Sequence, residues 1–285
     1  MRAVVLDATG EPALADVPEP AGDGEPARVL ACGLCGSDVE KIGHAPEGTV
    51  LGHEVTAELG DGRRVALLHH RPCGECSLCR SGHESACARF PEPTILPGGL
   101  AERVRAQGFF ELPAGVDDAT GTLVEPLACV LRGAERVPRG RLLVVGLGFV
   151  GSLFAGVLAH RGDEVFGLDP RPDRLMRSGL RPPEDDVDAA VICAAGGAAA
   201  ALDHVAPGGL ILAFAPGGPL DLDLVYRREL QIAGSRSATP RHMEQAIGLL
   251  PELDLPPLDV LPLELFAEGL ERYRSGRALK VVFTP

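Results

Sequence analysis

Residues 142–159 read LLVVGLGFVGSLFAGVLA, a run without a charge. Few segments constrain a fold more tightly, because its length approaches the ~20 residues of a membrane-spanning helix. Glycines at 146, 148, 151 and 156 interrupt it, and three of them form the pattern G-x-G-x-x-G. The apolar residues before that pattern suit a buried strand and those after it a buried helix, so a strand, a tight turn and a helix are expected rather than a span. Asp169 ends the next apolar stretch, eighteen residues past Gly151. Gly146, Gly148 and Gly151 permit the turn and the close approach of a pyrophosphate to the helix N-terminus, while a carboxylate at Asp169 can bind a ribose diol. Glycines serving only a tight turn would not need the strand, the helix and the acid at these intervals.

A chain of 285 residues is long enough for one large domain or two ordinary ones, and two are expected. The formal charge of −13 and the pI near 5.1 oppose nucleic-acid binding, which needs a basic surface. The opening MRAVVLDATG lacks the basic, apolar and small-residue order of a secretory signal, so a cytoplasmic location without membrane contact or lasting disulfides is expected. Residues 1–127 are rich in Gly, Pro, Cys and short apolar runs such as ARVLACGL, which read as an irregular β domain. From Arg141 the texture becomes strand and helix in alternation, the signature of a parallel sheet wrapped by helices. A segment after Pro240 returns to mixed structure: a helix RHMEQAIGLLPEL, a Pro-rich link LDLPPLDVLP, a helix LELFAEGLERYRSG and a strand ALKVVFTP. The corresponding division is 1–127, 128–239 and 240–285.

Between Cys73 and Cys87 stands CGECSLCRSGHESAC, four of the eight cysteines in fifteen residues. Closely spaced thiolates in a reducing compartment suit tetrahedral Zn²⁺, and four sulfur ligands (Cys73, Cys76, Cys79 and Cys87) leave no position open for a substrate. The lobe is therefore expected to be a structural site, with an iron–sulfur cluster as the rival occupant. A second set is dispersed: Cys35 in ACGLCGSD, His53 and Glu54 in LGHEVTAEL, and Glu125 in TLVEPLACV. One thiolate, one imidazole and one or two carboxylates are what a catalytic zinc uses when it keeps a position free. Singly, each of these is more often an ordinary polar residue.

Taken together, CGSD at 35–38, GHE at 52–54, the cysteine lobe, VEP at 124–126, GLGFVG at 146–151 and SGRALKVV at 275–282 resemble the medium-chain dehydrogenase/reductase superfamily, the zinc-dependent alcohol, polyol and sugar dehydrogenases. The motifs occur in the family's order and span nearly the whole chain. The resemblance implies an α/β architecture: a GroES-like β-rich catalytic domain, completed by the C-terminal segment, and a Rossmann doubly wound parallel sheet. It also implies two Zn²⁺ per chain, NAD with NADP as the alternative, a small-molecule alcohol or ketone substrate, and a homodimer or homotetramer.

Residue by residue, Cys35 and His53 match the family's zinc ligands, and Glu54 and Glu125 the positions of the remaining carboxylates, as in the sorbitol- and glucose-dehydrogenase branch. Asp38 matches the acid that orients the histidine, and Ser37 the hydroxyl that begins the proton relay. Many relatives continue that relay with a histidine five residues after the zinc cysteine; here Glu40 stands there, with His44 as the other substitute. Lys280 matches a basic residue near the cofactor pyrophosphate, its alternative being a surface lysine. Cys32, which forms a CxxC with Cys35, is expected to be inert rather than redox-active, and Cys129 to be a small core residue rather than a ligand. Asp169 favours NAD⁺, although Arg171 and Arg174 nearby soften that preference. The chain is shorter than usual, and SGLRPPEDD stands where a strand and helix commonly lie, so the third strand of the Rossmann sheet is expected to be vestigial or missing. The rivals are a noncatalytic zinc and nucleotide binder and a zinc-free reductase of the same superfamily.

Overall fold

The computed structural model describes residues 1–285 and divides into two compact units, one of residues 1–128, 238–251 and 257–285, the other of residues 129–237 and 252–256. In the second unit five strands form one parallel sheet, in the order Glu164–Leu168, Arg141–Val145, Val187–Ile192, Val205–Ala213, Gln231–Gly234. The apolar run that opened the sequence splits as expected. Its first residues form the buried strand Arg141–Val145, and its remainder the helix Phe149–His160. No helix of the chain is long and apolar enough to cross a membrane.

The turn between that strand and helix is tight at Gly146 and Gly151. A Cβ on Gly151 would lie 1.8 Å from the carbonyl oxygen of Gly146, a backbone atom with no freedom to retreat. Beyond Glu164–Leu168 the sheet stops. The short helix Pro172–Ser178 closes on Gly179 in the left-handed conformation, and residues 179–186 add no strand. A single backbone bond, from the Gly167 amide to the Arg181 carbonyl at 3.1 Å, takes the place of the missing ladder. The third strand is absent, as the shortened sequence implies.

The first unit is built on a sheet ordered Leu258–Pro262, Lys280–Thr284, Glu25–Gly33, Glu54–Leu59, Arg64–Leu67, Phe109–Glu111, with Arg103–Ala106 also pairing Glu25–Gly33. Leu258–Pro262 lies in the segment expected to be only a Pro-rich link. Its neighbours Pro256 and Pro257 precede the strand and Pro262 is its last residue, so no proline interrupts the parallel pairing with Lys280–Thr284. Val29, Val55, Leu67, Val281 and Phe283 fill the core of this unit. Phe283 is fully buried, worth about 1.5–3 kcal/mol for the side chain.

Val282 pairs with Gly33 and Gly33 with Glu54, so side chains of the C-terminal strand and of the start of Glu54–Leu59 can meet across Gly33. Here Lys280 departs from its surface alternative. Its ammonium donates to the Leu34 carbonyl at 3.0 Å and pairs with the Glu54 carboxylate, both side chains being 2% exposed. Burial disfavours a charged lysine, yet the negative charges of Glu54 and Cys35 outweigh that penalty and raise its pKa. Gly33 makes room for the pair: a Cβ there would stand 2.1 Å from a Glu54 oxygen and 3.0 Å from Lys280 Cε.

Two stability changes follow. Lys280→Met leaves Glu54 buried beside an apolar chain and is expected to cost about 3–5 kcal/mol, most of it recovered in the double variant with Glu54→Leu; urea-unfolding midpoints of the three proteins check this. Gly151→Ala is expected to destabilise the second unit by up to about 3 kcal/mol through overpacking, seen as earlier thermal unfolding and faster proteolysis of that unit.

Candidate active site

The candidate site of the first unit grows from one short helix. Gly36–Lys41 starts directly after Cys35, and its third residue, Asp38, turns back to accept from the Cys35 amide at 3.3 Å, a capping interaction that fixes where the helix begins. Asp38 is completely buried. Its other oxygen accepts from the Gly52 amide at 3.0 Å and faces His53 Nδ1 at 3.2 Å, so one carboxylate joins the CGSD and GHE segments. Burial alone would raise the Asp38 pKa; the charge and hydrogen bond of His53, with Lys41 and the Gly52 amide, hold it well below the carboxylate range. Gly52 is needed for this turn. Its φ is +93°, and a Cβ would press on the Leu100 amide at 2.6 Å and on Cys32 Sγ at 2.7 Å.

Because a carboxylate only accepts, His53 donates from Nδ1 and leaves Nε2 as the electron-pair donor, the tautomer a metal ligand requires. In the metal-free protein, burial works against a charged ring. The charges of Asp38 and Cys35 override it and raise the His53 pKa well above its usual value, so binding a metal there displaces a proton. Donor atoms of Cys35, His53 and Glu54 lie within 4.8 Å of one another, and so do those of His53, His69 and Glu125. The four expected ligands thus fall in two groups that share His53, Cys35 and Glu54 in one and Glu125 in the other. Ser37 is exposed and donates to Cys35 Sγ at 3.4 Å. Glu40 and His44 are exposed on and just after the same helix, and no hydrogen bond links either to Ser37.

His69 is the residue the sequence reading missed. It follows the strand Arg64–Leu67, four residues before Cys73, and its only signal was the pair HH ahead of the cysteine lobe. Its ring stacks on His53 with centroids 4.0 Å apart and is followed by His70 at 3.8 Å, which stacks on Phe90 at 3.8 Å. Phe90 packs among Cys79 and Cys87, so four rings connect the site to the cysteine lobe. Burial and the neighbouring His69 push the His70 pKa down to about 3, leaving it neutral, and its Nδ1 donates to the Phe90 carbonyl at 2.9 Å.

In the lobe the Cys73 and Cys79 sulfurs are 3.8 Å apart and those of Cys76 and Cys79 3.5 Å, and all four donors lie within 4.8 Å. Sulfurs of a disulfide would be about 2.05 Å apart, whereas Zn–S bonds of about 2.3 Å in a tetrahedron hold them about 3.75 Å apart. The backbone amides of Glu75 and Cys76 lower the Cys73 thiol to about 6, which favours the thiolate a metal needs. Cys32 is buried, its Sγ directed to the Gly33 carbonyl, and burial raises its pKa; it is an inert thiol. Cys129 belongs to none of the three donor groups.

In the second unit Gly146, Gly148 and Gly151 form the turn already described, and Asp169, with its side chain 2% exposed, sits beside it. One Asp169 oxygen accepts from the Leu147 amide at 2.7 Å and the other from the Arg171 amide at 2.9 Å. The acid therefore ties the glycine turn to the end of its neighbouring strand, with Arg174 3.7 Å away.

Residues 27–114 match the family model of the alcohol dehydrogenase GroES-like domain. The chain is 28% identical to sorbitol dehydrogenase of Halalkalibacterium halodurans, over 97% of this chain and 96% of the relative. It is 30% identical to D-altritol 5-dehydrogenase of Agrobacterium fabrum, over 88% of each. Its fold superposes on acetophenone reductase from Geotrichum candidum, solved in complex with NAD, with a TM-score of 0.86 at 22% identity, covering 100% of this chain and 97% of that one. With the parallel five-stranded sheet and the ordered motifs, these likenesses identify the chain as a member of the medium-chain dehydrogenase/reductase superfamily, an NAD(P)-dependent alcohol or polyol dehydrogenase.

Proposed function

We propose that the protein is a zinc-dependent dehydrogenase that moves hydride between a secondary hydroxyl of a polyol, sugar or related biosynthetic intermediate and NAD(P), with NAD preferred, as a cytoplasmic homodimer or homotetramer. The observation that carries the proposal is the convergence of Cys35, Glu54 and Glu125 on a buried His53 whose tautomer is fixed by Asp38. When bound, zinc supplies Lewis acidity that makes an alcohol oxygen more acidic, and the nicotinamide supplies the hydride acceptor. Cys35, His53 and a carboxylate would hold that ion, and Cys73, Cys76, Cys79 and Cys87 a second, structural one.

The chain's own residues do the rest. Asp38 holds the His53 ring in place through its Nδ1–H, so that Nε2 is the nitrogen that would give up its proton and bind the ion. Ser37 Oγ, now donating to Cys35 Sγ, is free to rotate and receive the proton of a substrate hydroxyl. Since Ser37, Glu40 and His44 are all exposed, that proton passes to water, with Glu40 and His44 as nearby acceptors. Lys280 is assigned to Glu54 rather than to the cofactor pyrophosphate: it neutralises that carboxylate, and Glu125 is the carboxylate assigned to the metal. Gly146, Gly148 and Gly151 would admit the pyrophosphate, and Asp169 the ribose diol.

Polyols, sugars and simple secondary alcohols offered with NAD⁺ and NADP⁺, followed by absorbance of the reduced cofactor, test the reading directly. Binding of metal and nucleotide without turnover of any of them would favour a noncatalytic binder. Cys35→Ala is expected to lower kcat/KM by about 10³-fold, roughly 4 kcal/mol, and to reduce the zinc content from two per chain to the one in the lobe. Unchanged turnover and metal content would refute the mechanism. Asp169→Ala is expected to shift the ratio of kcat/KM for NAD⁺ over NADP⁺ downward by at least about tenfold; a ratio that does not move would reduce Asp169 to a tie for the glycine turn.

A further inference from the structure

Two donor groups share His53, yet only one of them consists wholly of residues that the sequence motifs nominate. The other contains His69. Its Nδ1 stands 3.6 Å from Glu125 Oε1, too far for a good hydrogen bond. Donors held by one tetrahedral ion at about 2.0–2.1 Å are separated by about 3.3 Å, so this spacing suits two groups that share a metal better than two groups bonded to each other. Both side chains are set by packing rather than by chance: His69 is stacked between His53 and His70, and Glu125 is 7% exposed. The Glu54 carboxylate, by contrast, is engaged by Lys280.

We infer that His69 is a ligand of the catalytic metal, which is held by two imidazoles, His53 and His69, together with Glu125, and by Cys35 of the other group once the ion draws it in. The inference rests on the zinc-dependent reading above and extends it to a donor outside the motifs that carried the resemblance. His69 is also the more accessible imidazole, with its side chain 26% exposed against 6% for His53. It is therefore the ligand a substrate oxygen can displace, which leaves three protein donors and one open position, the set a catalytic zinc uses.

The test uses the full-length protein with the lobe zinc retained and cobalt(II) placed in the second site. Exchangeable ring N–H protons of cobalt-bound histidines appear as separate, strongly shifted proton resonances, and two are expected in the wild-type protein. His69→Phe, which keeps the ring stack and removes the nitrogens, is expected to show one. It should also weaken zinc binding at that site, measured by chelator competition, by more than the about 10- to 100-fold that loss of a residue merely supporting a ligand costs. A single shifted N–H in the wild-type protein overturns the inference while leaving a metal-dependent site in place, and needs no variant to fold. If cobalt and zinc enter only the cysteine lobe, the zinc-dependent reading itself fails, and the inference with it.

Discussion

The buried carboxylate of Asp38 is the fixed point of the first unit. It caps the helix behind Cys35, accepts from the Gly52 amide and orients His53, so a thiolate and an imidazole that are eighteen positions apart in the chain are set by one group. An unpaired charge in such a place is costly, and Asp38 offsets that cost by accepting from two backbone amides and His53, with Lys41 nearby. The same economy appears at Lys280 and Glu54, whose charges are buried together in the space Gly33 leaves. These two pairs tie the C-terminal strand Lys280–Thr284, the start of Glu54–Leu59 and the short helix Gly36–Lys41 to one another.

The cysteine lobe has a place in this arrangement that its spacing alone does not convey. A closed cluster of four thiolates offers no chemistry to a substrate. Through Phe90, His70 and His69, though, it forms the far end of a ring stack that ends on His53. Neutral His70, held to the Phe90 carbonyl, makes this connection one of packing rather than charge. The lobe thus acts as a buttress for one wall of the site.

Features that depend on neighbours in sequence were legible from the start. The strand, glycine turn and helix at 141–160, the four-cysteine spacing and the CGSD and GHE segments all carry their geometry locally, and the structure forms them where expected. Features that depend on contacts between distant segments were not. His69 gains its meaning from His53 and Glu125, and Lys280 lies 226 positions from Glu54. No periodicity reports such meetings, since each partner alone looks like an ordinary polar side chain. Leu258–Pro262 was obscured for another reason: three flanking or terminal prolines masked a short edge strand that a neighbouring strand supplies with its partners.

The five-stranded sheet of the second unit shows where a fold of this kind can be pruned. The glycine turn follows Arg141–Val145, which has a strand on either side, whereas the absent strand would have lain outside Glu164–Leu168. Removing an interior strand would break two ladders and the glycine turn. Removing the outer one sacrifices a single ladder, and the Gly167 amide finds Arg181 instead. Tolerance to loss is thus graded by distance from the central strand: length can be absent at the margin of the sheet while the glycine turn at its middle is whole.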